Sequence, residues 1–267
     1  MKFSGNILKM RTEFSVPVQY YLPIGKEEIH INPLIGKKIN IKYLHRINCI
    51  NCGVETNKSF HQGYCYSCYI SVPQTDTGIL HPEKDQSHLG ISRDMEWAKK
   101  NTLIDHFVYL ALTGDIKVGV TRHTQIPERW IDQGAIQAIR FARTPYRQLA
   151  GQIEVELKKH ISDKTNRLKM LTATESSINL TEKKKHFKSL IPKDLNQYVS
   201  LNKKITNIKY PFNNPGIDKF ISVTFDNQEF VSGKIAGIKG QYLIFSDGKI
   251  LNIRKHNGYF IEIEINK

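Results

Sequence analysis

Residues 106–122 read HFVYLALTGDIKVGVTR, and residues 125–161 continue as QIPERWIDQGAIQAIRFARTPYRQLAGQIEVELKKHI. Val108 to Leu112 is an apolar run with β-branched and aromatic members, and Ile116 to Thr121 is a second. Thr113-Gly114-Asp115 punctuates them, so the pair predicts a β-hairpin with Gly114 in its turn. Ile126-Pro127-Glu128-Arg129-Trp130 predicts a helix start, because proline suits the first turn and an acidic side chain suits its positive end. Gly134 closes that short helix. Ala135 to Ala142 predicts a third strand. Thr144 with Pro145 predicts the cap of a longer helix, in which Leu149, Ile153, Leu157 and Ile161 recur at four-residue spacing. The order is strand, turn, strand, helix, strand, helix.

Composition narrows the class of partner. The 267 residues carry a formal net charge of +14, a surplus that favours polyanions. No segment has the length expected of a membrane span and the N-terminus lacks a signal-peptide core, so nucleic acid leads, a membrane partner is not expected, and a cytoplasmic location is. The bland alternative is that the lysines merely solvate the protein.

The only four cysteines form two pairs, Cys49-Ile50-Asn51-Cys52 and Cys65-Tyr66-Ser67-Cys68. Two Cys-x2-Cys pairs at this separation have the spacing of a tetrahedral four-thiolate Zn2+ site. Disulfides are disfavoured without an export signal, and a redox motif needs one pair, not two. With all four positions taken by thiolates the metal is expected to be structural. Lys58, His61, Tyr64, Tyr66 and Tyr69 surround it, either as a contact surface for nucleic acid or as the small core of the module.

The flanks fill in the organisation. Residues 1–48 alternate apolar and polar residues and predict a small β module, and 49–72 hold the cysteines. Residues 73–105 read as a connector ending in a helix near Ser92 to Lys100, with Ser92 and Asp94 as cap signals. His81, Glu83, Asp85 and His88 there fit no specific metal template and read as polar loop residues. Residues 172–215 form a basic helical stretch whose Lys183, Lys184, Lys185 and Lys188, with Arg122 from the hairpin, are the expected nucleic-acid contacts. Pro211 to Gly216 is the expected linker. Residues 216–267 show five short runs with turns at Asp226-Asn227, Lys239-Gly240, Asp247-Gly248 and Asn257-Gly258, which predicts an SH3-like or OB-like β-barrel.

The central residues 106–171 resemble the GIY-YIG nuclease superfamily. Phe107-Val108-Tyr109 stands where the family has its first tripeptide and Lys117-Val118-Gly119 where it has the second. Arg129 falls where the helical arginine is expected, and Glu154 where the metal-binding glutamate is expected. Lys117 replaces the second motif tyrosine, as in a phage-associated branch of the superfamily. The resemblance implies an α+β fold with a central GIY-YIG-like α/β domain. It also implies phosphodiester cleavage in DNA or RNA by Tyr109, Lys117, Arg129 and Glu154, with Mg2+ or Mn2+ on Glu154. A nucleic-acid-binding protein that keeps the fold without turnover is the rival. The cysteine cluster and the phrase Arg129-Trp130-Ile131-Asp132-Gln133-Gly134-Ala135 also resemble a bacterial family of zinc-containing GIY-YIG-like proteins of unknown function.

Overall fold

The computed structural model describes residues 1–161, 166–212, 216–217 and 219–265. The fold is mixed α+β, and its chain forms two compact units, one of residues 71–208 and one that combines 1–70 with 209–267.

The discontinuous unit contains β1 (Lys2–Asn6), β2 (Arg11–Glu13), β3 (Gln19–Ile24), β4 (Glu27–His30) and β5 (Lys38–Ile47). The helix α1 (Tyr66–Ser71) runs across the unit boundary. On β5, Ile39, Ile41, Tyr43 and Ile47 are buried while most residues between them are more exposed, the period-two pattern of a strand with one face on a core.

The other unit contains α2 (Thr77–Leu80), α3 (Met95–Asn101), β6 (His106–Thr113), β7 (Asp115–Arg122) and α4 (Glu128–Asp132). It continues with β8 (Gln137–Thr144), α5 (Arg147–Lys158), α6 (Arg167–Thr172), α7 (Leu180–Lys188) and β9 (Ile205–Asn207). Its sheet has the order β7-β6-β8-β9 and is antiparallel throughout. Every residue of β6 is buried, as a central strand covered on both faces requires. The expected hairpin is present, with Gly114 at φ 94° in its turn, a left-handed value that glycine adopts without strain. The short helix ends at Gly134, again left-handed at φ 71°. The longer helix begins at Arg147 with Tyr146 at its N-cap, and the Thr144 hydroxyl donates to the Tyr146 carbonyl rather than capping the helix itself. Asp94 caps α3 by accepting from the Trp97 N–H at 2.9 Å. The expected helical stretch also yields β9, a fourth strand that its lysine-rich composition concealed.

The C-terminal strands are β10 (Ile221–Val223), β11 (Phe230–Lys239), β12 (Tyr242–Phe245), β13 (Lys249–Asn252) and β14 (Tyr259–Ile265). They do not close into the expected barrel. Together with the N-terminal strands they form one seven-stranded sheet of order β1-β14-β5-β11-β12-β13-β10. The reason is pairing across the length of the chain. β14 lies between β1 and β5, pairing Ile263 with Phe3 on one side and with Ile41 on the other. β11 pairs through residues 230–234 with β5 and from Ile235 onward with β12, with a register shift between Ile235 and Gly237. A bulge bends a strand and lets it change partner. Two expected turns are therefore not hairpins: β10, before Asp226-Asn227, pairs in parallel with β13, and β14, after Asn257-Gly258, leaves β13 altogether. Of the expected linker, Asn213, Asn214 and Pro215 lie outside the described residues, as do 162–165 of the central stretch.

Two buried histidines give the fold a pH dependence. His256 is enclosed, with Nδ1 at 2.8 Å from the Asn252 carbonyl and Nε2 accepting from the Phe225 N–H at 3.2 Å. Protonation would remove that acceptor. Burial lowers the His256 pKa to about 4, and burial lowers His106 likewise to about 4. Between the unfolded value near 6.5 and 4 the unfolded chain binds a proton that the folded chain does not, so stability falls as pH falls through this window. Each histidine is expected to cost about 3 kcal/mol once the window is crossed. Urea melts of wild type and His256→Gln at pH 7 and pH 4.5 check this: the wild type is expected to lose more stability on acidification than the variant.

Candidate active site and four-cysteine cluster

Tyr109, at the centre of β6, is fully enclosed, and its hydroxyl donates to Gln133 Oε1 at 2.9 Å. Gln133 follows α4, four residues after Arg129, so one helical turn aims both at the same place. Trp130 closes the ring edge-on, with centroids 6.1 Å apart. Gly119 stands opposite Tyr109 on β7. A Cβ at Gly119 would lie 2.5 Å from the Tyr109 hydroxyl, so this position admits no side chain while the phenol keeps its place. Gly119→Ala is expected to destabilise by about 1–3 kcal/mol through overpacking. A denaturant melt that matches wild type would contradict it.

Three of the sequence-predicted residues come together. Arg129 on α4 and Glu154 on α5 both act electrostatically on the Tyr109 phenol. Burial raises the Tyr109 pKa against the pull of Arg129, so the group is a neutral phenol at pH 7. Arg129 is half-buried, and against the cost of desolvation Tyr109, Asp132 and Glu154 hold it firmly in its charged form. Glu154 is 7% exposed. Burial raises its pKa, opposed by Lys158, whose Nζ lies 3.4 Å from its carboxylate. Lys117 pairs with Ala111, two residues along from Tyr109, and so lies on the same face of the sheet. A phenol, a guanidinium and a desolvated carboxylate from β6, α4 and α5 thus share one neighbourhood.

Sequence reasoning missed two members of this neighbourhood, Gln133 and Arg147. Arg147 donates to the Gly78 carbonyl at 2.8 Å and to Ile79 at 2.6 Å, and burial lowers its pKa to about 10. The four-residue step from Arg129 was the available signal for Gln133. Nothing local marks Arg147, whose partners are far away in sequence.

The four cysteine sulfurs lie within 4.8 Å of one another, and Cys52 Sγ is 3.8 Å from Cys65 Sγ. A tetrahedral ion with sulfurs at about 2.3 Å places them ~3.8 Å apart, so the cluster is compatible with zinc. All four are free thiols, not disulfides. Burial opposes ionisation of Cys49, but the N–H groups of Cys52, Cys65 and Asn51 bring its pKa down to about 6. The Asn51 amide donates to Cys68 at 3.4 Å. Among the described residues this is the one His/Cys/Asp/Glu group placed to hold a metal, so His81, Glu83, Asp85 and His88 form no such cluster. Around it, Phe60 packs against Tyr66 and Tyr69 with centroids 5.4 and 5.7 Å apart, while Tyr66 stays exposed.

A family model described as a protein of unknown function (DUF2797) matches residues 36–261, which includes β5, the cysteines, all of residues 71–208 and most of the C-terminal strands. The chain belongs to this family. No curated protein and no solved structure matches it. The family's matched span thus covers every residue named as a candidate here.

The expected nucleic-acid contacts divide on inspection. Lys183, Lys185 and Lys188 are exposed on α7. Lys184 is not: it is 7% exposed, and its ammonium donates to the Arg140 and Asn202 carbonyls, each at 2.7 Å. The helical period explains the split, because Leu180, Lys184 and Phe187 share the buried stripe of α7. Arg122 is half-buried and donates to Asn101 Oδ1. Among the described residues, no helix is long and apolar enough to cross a membrane.

Proposed function

We propose that the protein is a nucleic-acid-processing protein of GIY-YIG type, an endonuclease that cleaves phosphodiester bonds in DNA or RNA with a divalent metal. The observation that carries this reading is the convergence of Tyr109, Arg129 and Glu154 from three separate elements. Glu154 would hold Mg2+ or Mn2+, and the ion supplies a Lewis acid for a non-bridging phosphate oxygen. Arg129 faces the charge that develops on those oxygens. Tyr109 donates to Gln133 and accepts from the attacking water, which it orients. The water oxygen bonds to phosphorus and releases its proton to solvent, the bond to the leaving oxygen breaks, and that oxygen takes a proton from solvent. Lys117, on the same face, would hold a neighbouring phosphate. The four cysteines would hold a structural Zn2+ as thiolates, and four cysteines in no disulfide suit a reducing, cytoplasmic setting.

A second reading is favoured by one observation, the complete enclosure of the Tyr109 hydroxyl. On that reading the protein binds nucleic acid and does not cut it. Incubation of the purified protein with end-labelled DNA and RNA, with and without magnesium or manganese, separates the two. Metal-dependent shortening is expected; binding without shortening in either metal overturns the enzymatic reading.

Binding itself is expected to run through Lys183, Lys185 and Lys188. Changing these three to glutamine should weaken affinity and flatten the dependence of log affinity on log salt, because fewer counterions are released. An unchanged salt slope would remove α7 from the interface. Lys184 is left intact in this variant, since its loss would strand two buried carbonyls.

A further inference from the structure

The segment 73–93 and helix α3 enclose a cavity of about 350 Å³ that the cleavage chemistry does not use. Asp85 lines it and is 7% exposed. Its Oδ1 accepts from the Ser87 N–H at 2.8 Å and from the Ser87 hydroxyl at 2.6 Å. The Ser87 hydroxyl in turn lies 2.8 Å from Thr102 Oγ1. Oδ2 has no hydrogen-bond partner. Arg147 acts electrostatically on Asp85 and offsets part of its burial, but a carboxylate oxygen without a donor still carries a desolvation cost that a ligand N–H would relieve. Half-buried Trp97 lines the same cavity, as do the exposed Lys84 and Arg93, the latter paired with Asp76 at 3.2 Å.

A carboxylate, a flat indole and two cations among the lining residues match one class of ligand. From this we infer that the cavity receives a single unpaired nucleobase bearing an exocyclic amino group, cytosine in preference to uracil, with Asp85 Oδ2 as the acceptor. Carboxylates accept from cytosine N4, whereas uracil would present its O4 oxygen to the same charge. Trp97 supplies the stacking face. Oδ2 itself is closed to solvent, so contact with it takes a rearrangement of the cavity lining, of the kind side chains commonly make on binding.

The inference rests on the nucleic-acid reading above, and α5 connects the two sites. Arg147 anchors the cavity wall through Gly78 and Ile79. Glu154 lies two turns further along the same helix, about 10 Å by helical rise. Between them Gly151 faces the wall so closely that a Cβ would lie 2.1 Å from the Glu83 nitrogen. A base in the cavity would therefore belong to a nucleotide one or two positions from a phosphate at Glu154.

Fluorescence anisotropy of labelled oligo(dC) and oligo(dU) of equal length, on the full chain at fixed salt, tests this. Wild type is expected to bind oligo(dC) tighter by about tenfold. Asp85→Asn is expected to reverse the order: the two Ser87 donors retain the amide oxygen, so Nδ2 becomes a donor facing uracil O4. Trp97→Ala is expected to weaken both ligands by on the order of tenfold and leave their order unchanged. Equal wild-type affinities overturn the inference, and that comparison needs no variant to fold. An Asp85→Asn protein that folds and keeps the wild-type order overturns it as well. So does competition by ethylamine where cytidine monophosphate fails to compete, since that makes the cavity a site for a simple cation. Cleavage without base preference sinks the pocket and spares the nuclease; base preference without cleavage does the reverse.

Discussion

Replacing Cys49 or Cys65 by serine is expected to yield protein that fails to hold its native fold, and a strong chelator should do the same to wild type. The four sulfurs already sit within 4.8 Å of one another. Without an ion, several thiolates at that separation repel, and against the Asn51 amide, desolvation and the neighbouring Cys52, Cys65 and Cys49 raise Cys68 well above an ordinary thiol. Metal binding in such sites is folding energy, on the order of 10 kcal/mol in isolated zinc peptides, which rivals the whole stability of a typical domain. The affected residues include Asn48, whose backbone N–H donates to the Gly258 carbonyl at 2.8 Å, so loss of the cluster should disturb the start of β14 too. Metal analysis is expected to find about one zinc per chain, and thermal melts followed by circular dichroism should drop steeply on chelation. Freshly purified protein with no zinc, or an unaltered melt in the serine variants, would refute the structural-metal reading.

Glu154→Ala and Arg129→Ala are each expected to lower cleavage by roughly two orders of magnitude or more, the scale lost with a key electrostatic group. Affinity for labelled nucleic acid should change little, because the exposed lysines of α7 are untouched. Tyr109→Phe deletes only the hydroxyl that meets Gln133, so a comparable loss of rate would place that oxygen in the reaction. The pH profile carries independent information. Burial raises the Tyr109 pKa, so the phenolate fraction is small at neutral pH and grows with pH. If the phenolate takes the proton of water, the rate climbs across the range from pH 7 to 9, and Tyr109→Phe removes that climb. Full cleavage by folded Glu154→Ala would refute the assignment of this site.

The sequence by itself determined the features that depend on near neighbours. The hairpin at Gly114, the helix stop at Gly134, the cap at Asp94 and the two cysteine pairs each follow from a few adjacent residues whose backbone preferences act locally. The placement of Tyr109, Arg129 and Glu154 on strand, short helix and long helix was legible for the same reason. Tertiary structure alone decided the partners. The runs within 216–265 carry the alternation of a small barrel, but alternation records only that one face is buried, not which strand lies alongside. Hydrogen bonds from β14 to β1 and β5 link residues more than two hundred positions apart, and no local signal encodes such pairing. Lys184 shows the same principle at the scale of one residue. Lysine composition marks it as solvent-facing, yet its place on the stripe of Leu180 and Phe187 turns it inward to two carbonyls. Asp85 has its orphan oxygen, and Arg147 its partners at Gly78 and Ile79, only because residues 73–93 fold back onto α5, and chain connectivity is silent on that contact.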